Sequence, residues 1–158
     1  KRIFEKLIKF SKKFKYNLFF LDRPRQNNRK ILKDIFKDDN WNYLQIKSKS
    51  LKIKFLNQSK LITFSHSTLG YQLLSRGLKC VAFNHNYYNY SNLYKISKNG
   101  EFWCSPDKYN LVEKKLLEVI HKRDTKWKKI VKTKVSKIMF YDKNNKFKKK
   151  IINKIFNE

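Results

Sequence analysis

Apolar and polar positions alternate along this chain with two different periods, and the order of those periods predicts an α/β fold. Tyr16–Leu21 (YNLFFL) is a continuous apolar run, the mark of a parallel strand buried on both faces. Asn28–Lys37 follows with Ile31, Leu32, Ile35 and Phe36 at helical spacing. Trp41–Ile46 reads as a second strand, and Ser50–Asn57 as a short helix with Leu51, Phe55 and Leu56 turned inward. Leu61–Phe64 is a third strand, and the helix that opens near Leu69 stops at Gly77, a residue suited to a left-handed helix end. Lys79–Asn84 (KCVAFN) is a fourth strand, and a polar, aromatic stretch from His85 to Gly100 leads to a fifth at Glu101–Cys104. Asp107 then caps a helix through His121, with Val112, Leu116, Val119 and Ile120 on one face.

Strands separated by helices of this length imply βαβ units and a parallel sheet covered on both sides. The expectation is a Rossmann-like three-layer domain over residues 1–124, with a sheet of about five strands. Residues 125–158 then form basic amphipathic helices. Trp127, Ile130, Val131, Val135 and Ile138 mark one, and Phe147, Ile151, Ile152, Ile155 and Phe156 another beyond Lys143-Asn144-Asn145. The chain opens on Lys1 and its only methionine is Met139, so an upstream segment is expected. Lys1–Phe14 mixes charge with apolar residues and lacks the unbroken apolar core of a signal peptide. No stretch is long and apolar enough to span a membrane, and the two lone cysteines, read as reduced thiols, lead us to expect a cytoplasmic protein.

Charge changes this picture less than its size suggests. The net charge is +27, but it comes from 33 lysines and 6 arginines amid 16 asparagines, the mixture that A/T-rich codons produce. Readers of nucleic acid favour arginine, whose planar fork binds phosphate and guanine edges bidentately. The two ends, 1–15 and 122–158, are the most basic parts. A nucleic-acid module would need a lysine and aromatic surface, with Tyr87, Tyr88, Tyr90 and Tyr94 as stacking partners. The terminal helix from Lys146, apolar on one side and lysine-rich on the others, suits peripheral association with an anionic membrane or docking on its own domain. Cys80 and Cys104 stand alone, without CxxC or zinc spacing, and read as buried reduced thiols.

Candidate chemistry collects at one junction. Ser65-His66-Ser67-Thr68-Leu69-Gly70 carries the third strand into its helix, and in a parallel sheet ligands bind beyond the carboxyl ends of the strands. Free backbone amides at such a helix start can hold a phosphate or diphosphate. Equally, Ser67 or Thr68 caps the helix and Gly70 permits close packing against a strand. The three glycines form neither GxGxxG nor a Walker loop, which excludes NAD binding and nucleotide hydrolysis of those types. Of the histidines, His66 lies within the junction and is a weak catalytic candidate, His85 ends the fourth strand, and His121 sits at a helix end that favours a cation. Glu101 and Asp107 are the nearest carboxylates and have no partner in view, so the general base is expected elsewhere.

The stretch Ser67-Thr68-Leu69-Gly70-Tyr71-Gln72, continuing to Gly77 and Lys79, resembles the S-T-L-G-Y-E-x-x-x-x-G-x-K segment of GT-B-like bacterial surface-carbohydrate biosynthesis proteins. Gly100-Glu101-Phe102-Trp103 resembles their G-x-F-W segment, and Asp124 to Trp127 their acidic-x-x-Trp. The resemblance covers roughly Asn57 to Lys129. It implies the carboxyl-terminal half of a two-domain glycosyltransferase of capsule or lipopolysaccharide assembly, with a nucleotide-sugar donor as substrate, no cofactor and no metal. The amides of Ser67, Thr68 and Leu69 would hold the diphosphate, and Gln72 would face the ribose. The family usually has glutamate at that place, so Gln72 keeps one acceptor and loses the charge. Arg23-Pro24-Arg25 sits where related proteins carry a basic motif, and Arg23 and Arg25 would meet phosphate. A nucleotide-sugar epimerase of the same fold is the alternative enzyme.

Overall fold

The computed structural model describes residues 2–22, 28–36, 41–65, 67–83, 93–98 and 100–139. Helix α1 (Arg2–Lys13) is followed by strand β1 (Phe19–Leu21), α2 (Arg29–Ile35), β2 (Asn42–Leu44) and α3 (Lys49–Asn57). Then come β3 (Ile62–Phe64), α4 (Thr68–Ser75), β4 (Cys80–Phe83) and β5 (Trp103–Cys104). A kinked 3-10 stretch, Pro106–Leu111, leads into α5 (Val112–His121), and α6 (Asp124–Thr133) ends in a 3-10 turn at Val135–Lys137. The fold is α/β with parallel pairing, as the alternation of strand and helix signals implies.

The strands do not form one sheet of five. β1 and β2 make a two-stranded sheet and β3, β4 and β5 a three-stranded one, in that order and all parallel. The chain divides accordingly into two compact units, Lys1–Lys60 with Asp107–Leu117, and Leu61–Pro106 with Glu118–Glu158.

In the first unit, the apolar run at Tyr16–Leu21 gives only three residues of strand. Phe19 is exposed, and Phe20 and Leu21 are half-buried. With a single strand beside it among the described residues, β1 has too little neighbouring sheet to be covered on both faces. Aromatic rings supply much of the packing: Phe4 meets Phe20 and Phe36 edge-on, and Phe20 meets Trp41 in the same way. Ile3, Leu7, Ile8 and Phe10 bury one side of α1. Lys13 at its end pairs with Glu113 at 2.6 Å, an exposed bridge that contributes little. Ser48 caps α3 by accepting from the Leu51 amide, and Leu56 is buried, but Leu51 itself stays outside at 59% exposure.

The second unit holds the larger core. All four residues of β4 are buried because it is the central strand of a parallel sheet. Leu73 and Leu74 of α4, Phe102, Val119, Trp127 and Val135 are buried in the same unit. Cys80 and Cys104 are buried and not joined in a disulfide, and burial pushes the Cys80 thiol up to about 12. Gly77 stops α4 with φ +94°, the Gly77 amide reaching Leu74 O and the Leu78 amide Leu73 O. That pair of bonds satisfies the last helical carbonyls around a residue with no Cβ to clash. Among the described residues no helix is long and apolar enough to cross a membrane. The helix expected from Lys146 and the tyrosines at 87, 88 and 90 lie outside the described residues.

Candidate functional site

The carboxyl end of β3 runs straight into α4. Ser67 is the N-cap, in an extended conformation, and its Oγ accepts from the Gly70 amide at 3.2 Å while its carbonyl accepts from Tyr71. Capping satisfies one of the orphan amides at the helix start. The Thr68 and Leu69 amides have no partner among the described residues, and the partial positive charge of the helix end falls on them. Ser65 and Thr68 are exposed at this junction. Gln72 is exposed one turn beyond Thr68, and residues four apart share a helix face. The junction thus brings Ser65, Ser67, Thr68, Leu69 and Gln72 together at the edge of the sheet where ligands of parallel sheets bind.

Gly70 has a different office. A Cβ placed on it would lie 2.2 Å from Cγ of Phe64, inside the ring's own volume. The Phe64 ring stands edge-on to Tyr71 at 5.0 Å, and burial raises the Tyr71 hydroxyl above its usual pKa. Glycine at this position therefore admits the last side chain of β3 against the first turn of α4.

Two further clusters surround residues of the motif. The Gly77 carbonyl accepts from Trp127 Nε1 at 2.9 Å. Lys79 donates to Ile120 O at 2.9 Å and lies 3.3 Å from the Asp124 carboxylate. One knot thus ties the end of α4 and the start of β4 to the turn between α5 and α6. In the other, Glu101 accepts from the Ser97 hydroxyl and pairs with Lys134, while Trp103 Nε1 donates to Ser97 O at 3.0 Å. Glu101 therefore has partners that sequence reasoning did not see, and it is tied up in them.

In the other unit, Asp22 at the end of β1 was likewise missed. Its carboxylate accepts from the backbone and side-chain amides of Asn28 at 3.0 Å and from Tyr43 Oη at 2.7 Å. The Tyr43 hydroxyl is held above its usual pKa, chiefly by that bond to Asp22. An acidic residue just after a strand and an asparagine just before a helix were the available signal. This clasp joins the two ends of the segment that carries Arg23 and Arg25, which themselves lie outside the described residues, as do His66 and His85. His121 ends α5 and is exposed, and Tyr94 is exposed on a helical turn at 93–96. No cluster of metal-ligating side chains occurs among the described residues.

Comparison with protein families matches residues 3–155 to a family model described as "putative O-antigen biosynthesis protein". Neither the curated proteins nor the solved structures gave a match.

Proposed function

The chain belongs to this family of O-antigen biosynthesis proteins and so to surface polysaccharide biosynthesis, and from that premise we propose that it forms the donor-binding half of a glycosyltransferase with GT-B architecture. The observation that carries the reading is the start of α4. Two amides without a partner among the described residues, a serine cap and an exposed glutamine meet at the carboxyl edge of a parallel sheet. The diphosphate of a nucleotide-activated sugar is a ligand of matching charge, held by the Thr68 and Leu69 amides and by the helix dipole. Gln72, one turn on, offers an amide to the ribose. The partner domain that would complete the active site, and with it the general base, belongs to the proposal. So do Arg23, Arg25 and His85 as further phosphate contacts and His66 as a catalytic group.

Amide NMR with UDP, GDP, CDP and CMP tests the assignment. At least one nucleotide should shift the Thr68, Leu69 and Gly70 amide signals saturably and be displaced by its own nucleotide-sugar. Thr68→Glu sharpens the test. An acidic residue in the first turn suits the helix dipole but repels a phosphate, so it should preserve or raise stability while weakening binding at least about tenfold. Silence of all three amides towards every nucleotide refutes the donor-site reading.

A further inference from the structure

Helix α6 and the turn after it carry a face of unneutralised charge. Arg123, Lys126, Lys128, Lys129, Lys132 and Lys137 are all exposed, and none of them forms an ion pair among the described residues. Lys126, Lys129 and Lys132 follow at three-residue steps and Lys128 and Lys132 stand four apart, so these side chains are neighbours on one helix surface. Like charges at such spacings repel. The lysine that turns inward is treated differently, for Lys134 is half-buried and paired with Glu101. Asp124, the one carboxylate on the helix, is engaged by Lys79. The opposite side of α6 is already used: Trp127 and Val135 are buried, and Ile130 and Val131 half-buried. What is left is an outward surface about 15 Å long on which, among the described residues, no free carboxylate offsets the lysines. Its place in the sheet follows from its ties. Trp127 holds the Gly77 carbonyl and Asp124 holds Lys79, just before β4, while Lys134 holds Glu101, just before β5. Helix α6 is thus bound to the amino ends of these strands, whereas α4 starts at the carboxyl end of β3 in the same parallel sheet.

We propose that this lysine face adsorbs on an anionic lipid bilayer, by electrostatic contact and without insertion of the helix, and that it leaves the carboxyl edge of the sheet uncovered. Groups of about four to eight basic residues on an amphipathic helix suit anionic headgroups. Lysine fits that boundary because its apolar stem can lie along it while the ammonium stays in water. A nucleic acid would call instead for arginine forks and exposed rings to stack on. Arg123 is the one arginine among the exposed cations of this face, and Trp127, the one ring on the helix, is buried. With the apolar side of α6 committed to the core, only charge is available to hold the surface, so the contact weakens as salt screens it.

Co-sedimentation of the full chain with vesicles tests the proposal. Vesicles of phosphatidylcholine and phosphatidylglycerol in equal parts should bind it, phosphatidylcholine alone should not, and raised salt should release it. Lys128→Glu, Lys129→Glu and Lys132→Glu combined should weaken partition at least about tenfold, given about fivefold per lysine beside an anionic surface. Lys9→Glu, Lys33→Glu and Lys54→Glu make the same change in net charge at exposed lysines of the first unit, and should cost far less. Coinciding urea midpoints show that the variants are folded, and Lys128→Gln, Lys129→Gln and Lys132→Gln combined should give a smaller loss in the same direction. Equal losses from the two acidic sets would mean that net charge alone drives adsorption, and would overturn the proposal. So would binding that survives high salt, equal binding to phosphatidylcholine alone, or unchanged partition of a folded α6 variant. Release of the chain from the vesicles by an equimolar mixed-sequence RNA would assign the face to nucleic acid instead. No nucleotide enters the experiment, so its failure and that of the donor-site reading are read separately.

Discussion

Replacing Gly70 by alanine sets two calculable effects against each other. Alanine in place of glycine in a helix stabilises by about 1 kcal/mol from backbone propensity. Against this, the new methyl would stand 2.2, 2.4 and 2.6 Å from three atoms of the Phe64 ring. Ordinary carbon contacts lie at about 3.5–4.0 Å, so the ring would have to retreat by more than about 1 Å. It is the last residue of β3 and packs edge-on against Tyr71, so it cannot simply swing to solvent. Overpacking of that kind costs about 1–3 kcal/mol, and a net loss of about 1–2 kcal/mol is expected once propensity is credited. Urea unfolding in a Trp41→Phe background, followed through Trp103 and Trp127, reads the unit in which the change is made. An unchanged slope with a lower midpoint would report stability rather than a change in the denatured state. Phe64→Leu supplies the control: the double variant should regain part of the loss, with a coupling of at least about 1 kcal/mol. If Gly70→Ala alone equals or exceeds the parent in stability, the packing account is wrong, and glycine is needed there for a ligand. Nucleotide affinity of the double variant separates the two uses in any case, since removing the ring makes room for the methyl while the methyl itself stays at the helix start.

Three other outcomes follow from the same unit. Trp127→Phe leaves the Gly77 carbonyl without its donor and should lower stability by about 1–2 kcal/mol in thermal or urea unfolding. Glu101→Gln removes the charge from a carboxylate that holds Ser97 and Lys134, and a loss of about 2 kcal/mol is expected from charged hydrogen bonds in a mostly buried setting. The folded Cys80 thiol titrates near 12 against 9.0 for an ordinary thiol, so the unfolded chain loses its proton first. Its contribution to stability is thus complete below about pH 9 and declines as pH rises towards 12. Tyr43 and Tyr71 shift in the same direction, so the share that disappears in Cys80→Ala is the measure of the thiol.

The alternation of strands and helices was legible because it rests on local pattern. KCVAFN gave a strand buried throughout, and Val112, Leu116, Val119 and Ile120 lie buried on one helix, as their spacing implies. Sheet membership was not legible, because a parallel strand is paired by distant chain, and nothing in YNLFFL says whether one or two neighbours await it. Its largely apolar run overstated both the length and the burial of a strand that, among the described residues, has only β2 beside it. Helix α1 went unread although Ile3, Leu7, Ile8 and Phe10 carry its period, since the lysines between them drew the reading towards charge alone. Leu51 looked inward by spacing, but in a nine-residue helix the buried stripe is narrow and falls on Leu56. The site was half legible. A hydroxyl-rich strand-to-helix junction could be seen, whereas Asp22 and Glu101 act through partners 21 and 33 residues away.

Those long-range partners also divide the labour of the motif that runs from Ser67 to Lys79. Gly70 makes room for Phe64, Gly77 turns the chain in a left-handed conformation, and Lys79 and Trp127 lock that turn to the start of α6. Each of these has a sufficient structural cause, so none of them argues for a ligand. What remains without such a cause is small: the exposed Thr68 and Gln72, and the amides of Thr68 and Leu69. At the helix start itself, the Ser67 cap and the Phe64 ring against Gly70 fix the first turn, and donors held in place lose little freedom when they meet an anion. The functional claim therefore rests on Thr68 and Gln72 rather than on the more conspicuous glycines. Gln72→Glu tests it where the bracing cannot interfere. On an exposed face it should leave unfolding unchanged, yet alter affinity for a ribonucleotide more than for its 2′,3′-dideoxy analogue. Equal effects on both would remove Gln72 from the ribose, and the site would shrink to a bare helix end.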